Sequence, residues 1–142
     1  MERAFGSISG SFALLPSYLE KLQQSNPGSV CNAEYVVYNN GMKRFKYVFV
    51  SFGASIAGLK HIRPVVLVDG THLSGRYGGC LIFASGQDAN FQIYPIAYAV
   101  VDSENDDAYE WFFKCLKQMY QMTEGLPLPQ TDITASTLAS GR

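Results

Sequence analysis

The residues best placed to do chemistry lie in Pro64-Val65-Val66-Leu67-Val68-Asp69-Gly70-Thr71-His72-Leu73. Four apolar, mostly β-branched residues precede Asp69, the pattern of a strand buried on both faces. Asp-Gly favours a turn, so the pattern predicts that the strand ends there and carries the Asp69 carboxylate to the sheet rim. A carboxylate held that way suits a metal or phosphate site; it serves equally well to start an Asp-Gly bend. His72 could act as a ligand or base, but without a partner in the sequence it reads as a polar residue of the same turn. A second concentration of acids follows at Asp102-Ser103-Glu104-Asn105-Asp106-Asp107, where four of six residues are carboxylic. Acidic side chains favour a helix N-terminus, and Asp107 to Glu110 has near-capping-box spacing. That accounts for most of the acids but not for Asp102, which precedes the helix. Lys43, Arg44 and Lys46 form a small basic cluster that could meet a phosphate backbone, although strand-edge lysines are commonly just solvated. Cys31, Cys80 and Cys115 are odd in number and widely spaced, with no zinc pattern, and read as reduced, mostly buried thiols of an intracellular protein.

These groups must be positioned by ordinary elements. Residues 1–10 are Gly/Ser-rich and read as a flexible lead-in. Leu15, Tyr18, Leu19 and Leu22 recur at helical spacing, with Pro16 acceptable only in a first turn and Asn26-Pro27-Gly28 as the stop. Cys31–Tyr38 and Arg44–Phe52 read as a hairpin about Asn39-Asn40-Gly41, with Phe45, Tyr47 and Phe49 on one face. Residues 53–63 read as a loop or short irregular segment. After the Asp69 strand, a Gly-rich turn at 74–79 leads to a strand at Cys80–Ser85. A third strand spans Gln92–Val101, in which Pro95 marks an edge or bulge. Loops this short predict an antiparallel meander. Its first and third strands then run parallel, so Asp69 and Asp102 should share a rim with backbones roughly 10 Å apart. The helix after the acidic turn buries Phe112, Cys115, Leu116 and Met119 and should stop near Gly125. Residues 125–142 are Ser/Thr/Ala-rich and read as a disordered tail.

The chain is 47% apolar and only 16% charged, a deficit of charge that predicts surface covered by something else. Its net charge of −1 offers no global field to attract nucleic acid, so any such binding needs a local patch. The N-terminus lacks the apolar core of a secretory signal, and no apolar run is long enough to span a bilayer as a helix.

Several of these segments, in this order and spacing, resemble the opening of the catalytic domain of plant Mutator-like (MULE) transposases. They are Arg63-Pro64 through Asp69-Gly70-Thr71-His72-Leu73, Gly75 to Gly79, Gly86-Gln87-Asp88, Gln92 to Ala97, Val101 to Asp106, and Trp111-Phe112-Phe113. The resemblance covers roughly residues 11–120. It implies an α+β chain holding part of a ribonuclease-H-like fold, a three-stranded antiparallel meander plus helix at 63–124. A helix and a β-hairpin at 11–62 precede it. It also implies metal-dependent DNA strand cleavage and transfer in the nucleus, with three carboxylates holding two Mg²⁺ or Mn²⁺ ions. Asp69 corresponds to the first of these and is the implied metal ligand. Asp102 is an outer candidate. Asp132, in a Thr-Asp-Ile-Thr context within the low-complexity tail, does not match the second and is set aside. The resemblance therefore implies a transposase fragment, inactive alone and prone to self-association through an exposed sheet edge, that of the Asp69 strand left without its parallel neighbour. Two alternatives stand beside it: a domesticated, non-catalytic binding module for DNA or protein, and an unselected gene remnant.

Overall fold

The computed structural model describes residues 15–41, 43–74, 78–123 and 129–133; the lead-in at 1–10 and the helix stop at Gly125 lie outside them. Helix α1 spans Leu15–Ser25, with Pro16 in the first turn where its missing N–H costs nothing. Of its apolar stripe only Leu19 is buried, and Tyr18 is 62% exposed. The hairpin pairs β1 (Val30–Val37) with β2 (Lys43–Ser51), and Gly41 takes a left-handed φ of 81° beside the turn.

Strands β3 (Val65–His72), β4 (Cys80–Gln87) and β5 (Ile93–Val101) form the antiparallel meander. β5 also pairs antiparallel with β2, Phe49 opposite Ala99. The hairpin and the meander, two segments in the sequence, therefore build one α+β sheet of five antiparallel strands. A sixth strand, β6 (Gln130–Ile133), lies parallel to β3, with Val65 opposite Gln130 and Val68 opposite Ile133. The sheet order is β1-β2-β5-β4-β3-β6. β6 corrects the reading of 125–142 as wholly disordered. A short strand needs only backbone groups facing an open edge, so a polar composition does not exclude it.

A second correction concerns residues 53–63. They hold a short helix, α2 (Gly53–Ala57), and a 3₁₀ turn at Leu59–His61 rather than a plain loop. The Gly53 N–H donates to Ser29 Oγ at 2.8 Å, and the Tyr94 hydroxyl donates to the Ser55 carbonyl at 2.7 Å. Pro95 lies in a central strand, which the ladder accommodates with a bulge. Ala84 pairs with Ala97 but Ser85 with Pro95, leaving Ile96 as the extra residue.

Helix α3 (Asp106–Gln121) covers one face of the sheet. Its N-cap is Asn105, whose Oδ1 accepts from the Ala108 N–H at 2.9 Å, rather than the Asp107–Glu110 pair. Ala108, Phe112, Cys115, Leu116, Met119 and Tyr120 face the core, and the Phe112 ring lies 5.6 Å from that of Phe49. Burial pushes the Tyr120 phenol up to about 12, with Tyr94 adding to it. The folded state then holds this proton where the unfolded chain has lost it. Its contribution is complete below pH 10 and lost as pH rises towards 12. Melting curves should therefore fall more steeply over that window for the wild type than for Tyr120→Phe.

Candidate functional site

β3 alternates. Val66 and Val68 are fully buried under α3, while Leu67, Asp69 and Thr71 are exposed on the opposite face. That face also carries Phe83 and Tyr98, with ring centroids 5.1 Å apart, and Val100, 41% exposed. This uncovered side of the sheet is one part of the exposed apolar surface; the hairpin end at Tyr35–Tyr38 is another.

Asp69 does not end its strand. It pairs with Phe83, and the ladder continues through Gly70 and Thr71 to His72 opposite Cys80. The expectation of a rim carboxylate fails because the β4 ladder supplies partners for the Asp-Gly backbone, overriding its turn preference. Asp102 is likewise displaced from its expected place. Cys80 pairs with both His72 and Val101, so Asp102 stands level with the residue after His72. It is about four residues further along than Asp69 and two strands across, roughly 16 Å from Cα to Cα. Its N–H donates to the Lys46 carbonyl at 3.1 Å, which makes it a turn residue closing β5 onto β2. Asp132, set aside in the sequence, is the acidic residue that the register brings nearest along β6. It stands opposite Leu67, two residues short of Asp69 on the adjacent strand, about 8 Å away at the Cα.

A pair of Mg²⁺ ions needs several oxygen donors converging within about 4 Å. Asp69 contributes one carboxylate, Asp102 is out of reach, and the Asp132 side chain is not described. Among the described residues no group of three or more His, Cys, Asp or Glu side chains is placed to hold a metal ion. The described donor set therefore does not fit a two-ion centre, and no chemical step is derived through one.

On the other face, above Gly70, the structure assembles a network that sequence reasoning missed. Glu104 is only 2% exposed; its Oε1 accepts from the Tyr109 hydroxyl at 2.7 Å. Its Oε2 lies 3.3 Å from His72 Nε2 and has no well-formed hydrogen bond. Gly70 makes room for this, because a Cβ there would overlap the Tyr109 hydroxyl and crowd Glu104. Burial, and then the Glu104 charge, push the Cys80 thiol up, so it stays protonated and inert. Burial also pushes up Cys31 and Cys115. All three thiols are free, with Cys80 and Cys115 buried. His72 thus has the partner that its sequence neighbourhood lacked. The available signal was an acid just before an N-cap and a tyrosine five residues on, which becomes legible only once β3 lies beside them.

Of the basic cluster, only the Lys46 side chain is among the described residues. Lys46 is half-buried, its ammonium 4.9 Å from the centre of the Tyr47 ring, a contact that holds it against the sheet. Lys43 and Arg44 pair through their backbones with Val37 and Val36 at the far end of the hairpin; their side chains lie outside the described part.

The profile of the MULE transposase domain matches residues 65–140, just over half of the chain. The match begins at β3 and runs through the meander, α3 and β6. No curated protein and no solved structure matches the chain. On this match, which takes in the strand that carries Asp69, the chain belongs to the MULE transposase domain family.

Proposed function

We propose that the chain is a transposase-derived domain in which Asp69 is the first metal-ligating carboxylate, and that alone it does not cut DNA. The observation carrying this reading is the sheet order β5-β4-β3-β6, with α3 between β5 and a β6 that runs parallel to β3. An antiparallel meander, a crossover helix and a parallel strand beside the first strand are the plan of a ribonuclease-H-like domain. DNA as partner, nuclear residence and a plant Mutator-like origin belong to the same reading, as do Mg²⁺ or Mn²⁺ as cofactor. The β3 edge expected to drive self-association is paired with β6 over Val65–Val68, so self-association would instead use the β1 edge, where Val37 is 62% exposed. A second reading, a non-catalytic binding module, is supported by the separation of Asp69 from Asp102.

The test is nicking of supercoiled DNA with Mg²⁺ or Mn²⁺, comparing the chain with Asp69→Ala and Asp132→Ala. The expected result is no cleavage by any of the three, together with weak Mn²⁺ binding that Asp69→Ala reduces. Nicking that disappears with Asp69→Ala would overturn the claim of inactivity. Mn²⁺ binding indifferent to Asp69 would remove its role as ligand.

A further inference from the structure

At the opposite end of β3 from His72, one residue holds a conformation that its side chain disfavours. Phe91, in the loop between β4 and β5, has a φ of 62°. That is the left-handed region, where a bulky aromatic residue is a true outlier and glycine or asparagine is usual. The loop is built to keep it there. Asp88 Oδ1 accepts from the Asn90 N–H at 2.8 Å and the Gln92 N–H at 2.9 Å. The Phe91 N–H donates to the Asp88 carbonyl at 3.1 Å. None of this strain serves the core, because the Phe91 side chain is 65% exposed. The Arg63 guanidinium lies 4.2 Å from the ring centre, in cation–π contact. Strain held by surrounding structure at an exposed side chain points to a use for that side chain.

The surroundings indicate which use. Lys60 and Arg63 are exposed on the segment entering β3, a local positive pair in a chain whose net charge is −1, with His61 exposed between them. A shallow cleft of about 150 Å³ lined by Arg63, Val65, Leu67, Gly86 and Gln87 leads along β3. Arg63, Val65, Leu67 and Asp69 are alternate residues, so the cleft points along the Asp69 face. Asp69 lies six residues from Arg63, roughly 20 Å along the strand.

We propose that Phe91 and Arg63 form a stacking platform for an unpaired base of single-stranded DNA, whose backbone is attracted by Lys60 and Arg63. Aromatic faces accept any base, and neighbouring cations hold the phosphates. Arg63 rigidifies the ring, and the area left exposed receives the base. The proposal deepens the reading above and rests on DNA being the partner. An unpaired strand end would be held along β3 on the same face as Asp69.

The test uses the full chain with a single-stranded oligonucleotide carrying 2-aminopurine, and a blunt duplex of the same sequence. Stacking should quench the fluorophore, and Phe91→Gly should weaken single-strand binding about ten-fold. The same variant should leave the melting temperature unchanged or raise it, because glycine accepts the left-handed conformation. Phe91→Trp should keep the quenching, and Arg63→Ala should weaken binding and reduce its salt dependence. A Phe91→Gly variant that melts lower and binds as before would show a purely structural loop and overturn the proposal. Duplex binding without single-strand quenching would overturn the platform while leaving DNA as partner. Binding of neither would overturn both.

Discussion

Replacing Phe112 with alanine is expected to destabilise the chain by about 3–5 kcal/mol, the cost of emptying a fully buried aromatic site. Phe112 is the centre of the α3–sheet contact, with ring neighbours Phe49 at 5.6 Å and Phe113 at 5.8 Å. A single domain is stable by only about 5–15 kcal/mol. The loss should therefore lower the melting temperature by roughly 10–15 °C. Phe112→Leu, which keeps an apolar side chain at the site, should cost less than half as much. Thermal melts of the two variants check this. Equal losses would mean that α3 is not seated on the sheet as described.

The second large effect is expected at Glu104. Glu104→Ala removes the acceptor of the Tyr109 hydroxyl and opens a hole beside Gly70. Stranding a buried polar group costs about 1–3 kcal/mol, with the lost packing added to it. His72→Ala should change stability by only about 0.5 kcal/mol or less, because the His72 side chain is 73% exposed and exposed ion pairs contribute little. The two outcomes separate the roles of the partners. If Glu104 is anchored through Tyr109, then Tyr109→Phe and Glu104→Ala together should cost less than the sum of the single changes. A double-mutant cycle by urea denaturation measures this. Additive losses would mean that the hydroxyl–carboxylate contact carries no energy. A large His72→Ala effect would place the weight on the ion pair instead.

Both expectations concern the sheet face that bears α3, whereas Asp69 lies on the other. This division decides what the chain can do alone. The α3 face is closed by aromatic packing and a buried carboxylate. The Asp69 face carries an exposed acid among Leu67, Phe83, Tyr98 and Val100, ready for further structure or a ligand to cover it.

Much of this could be read directly from the sequence. The run before Asp69 specified a strand, but not burial on both faces: Val66 and Val68 are enclosed, while Leu67 is exposed on the side that nothing covers. The 3.6-residue recurrence of Phe112, Cys115, Leu116 and Met119 specified the helix and its buried side. Asn39-Asn40-Gly41 specified the hairpin, and short loops specified the meander. These are local properties, set by side-chain periodicity and backbone preference. Where the sequence misled, partners from distant segments decided. The β4 ladder drew the Asp-Gly pair into β3 and moved Asp69 off the rim. Strand register then separated Asp69 from Asp102 along the sheet, a distance that loop lengths do not encode. Glu104, His72 and Tyr109 meet only because β3 lies against the start of α3. β6 exists because the edge of β3 offers unpaired backbone groups, which any sequence without proline can satisfy. Residue types thus determined the two longer helices, the hairpin and the meander, and the buried side of α3. Only the tertiary structure decided which carboxylates stand together, since register and long-range pairing depend on the whole sheet.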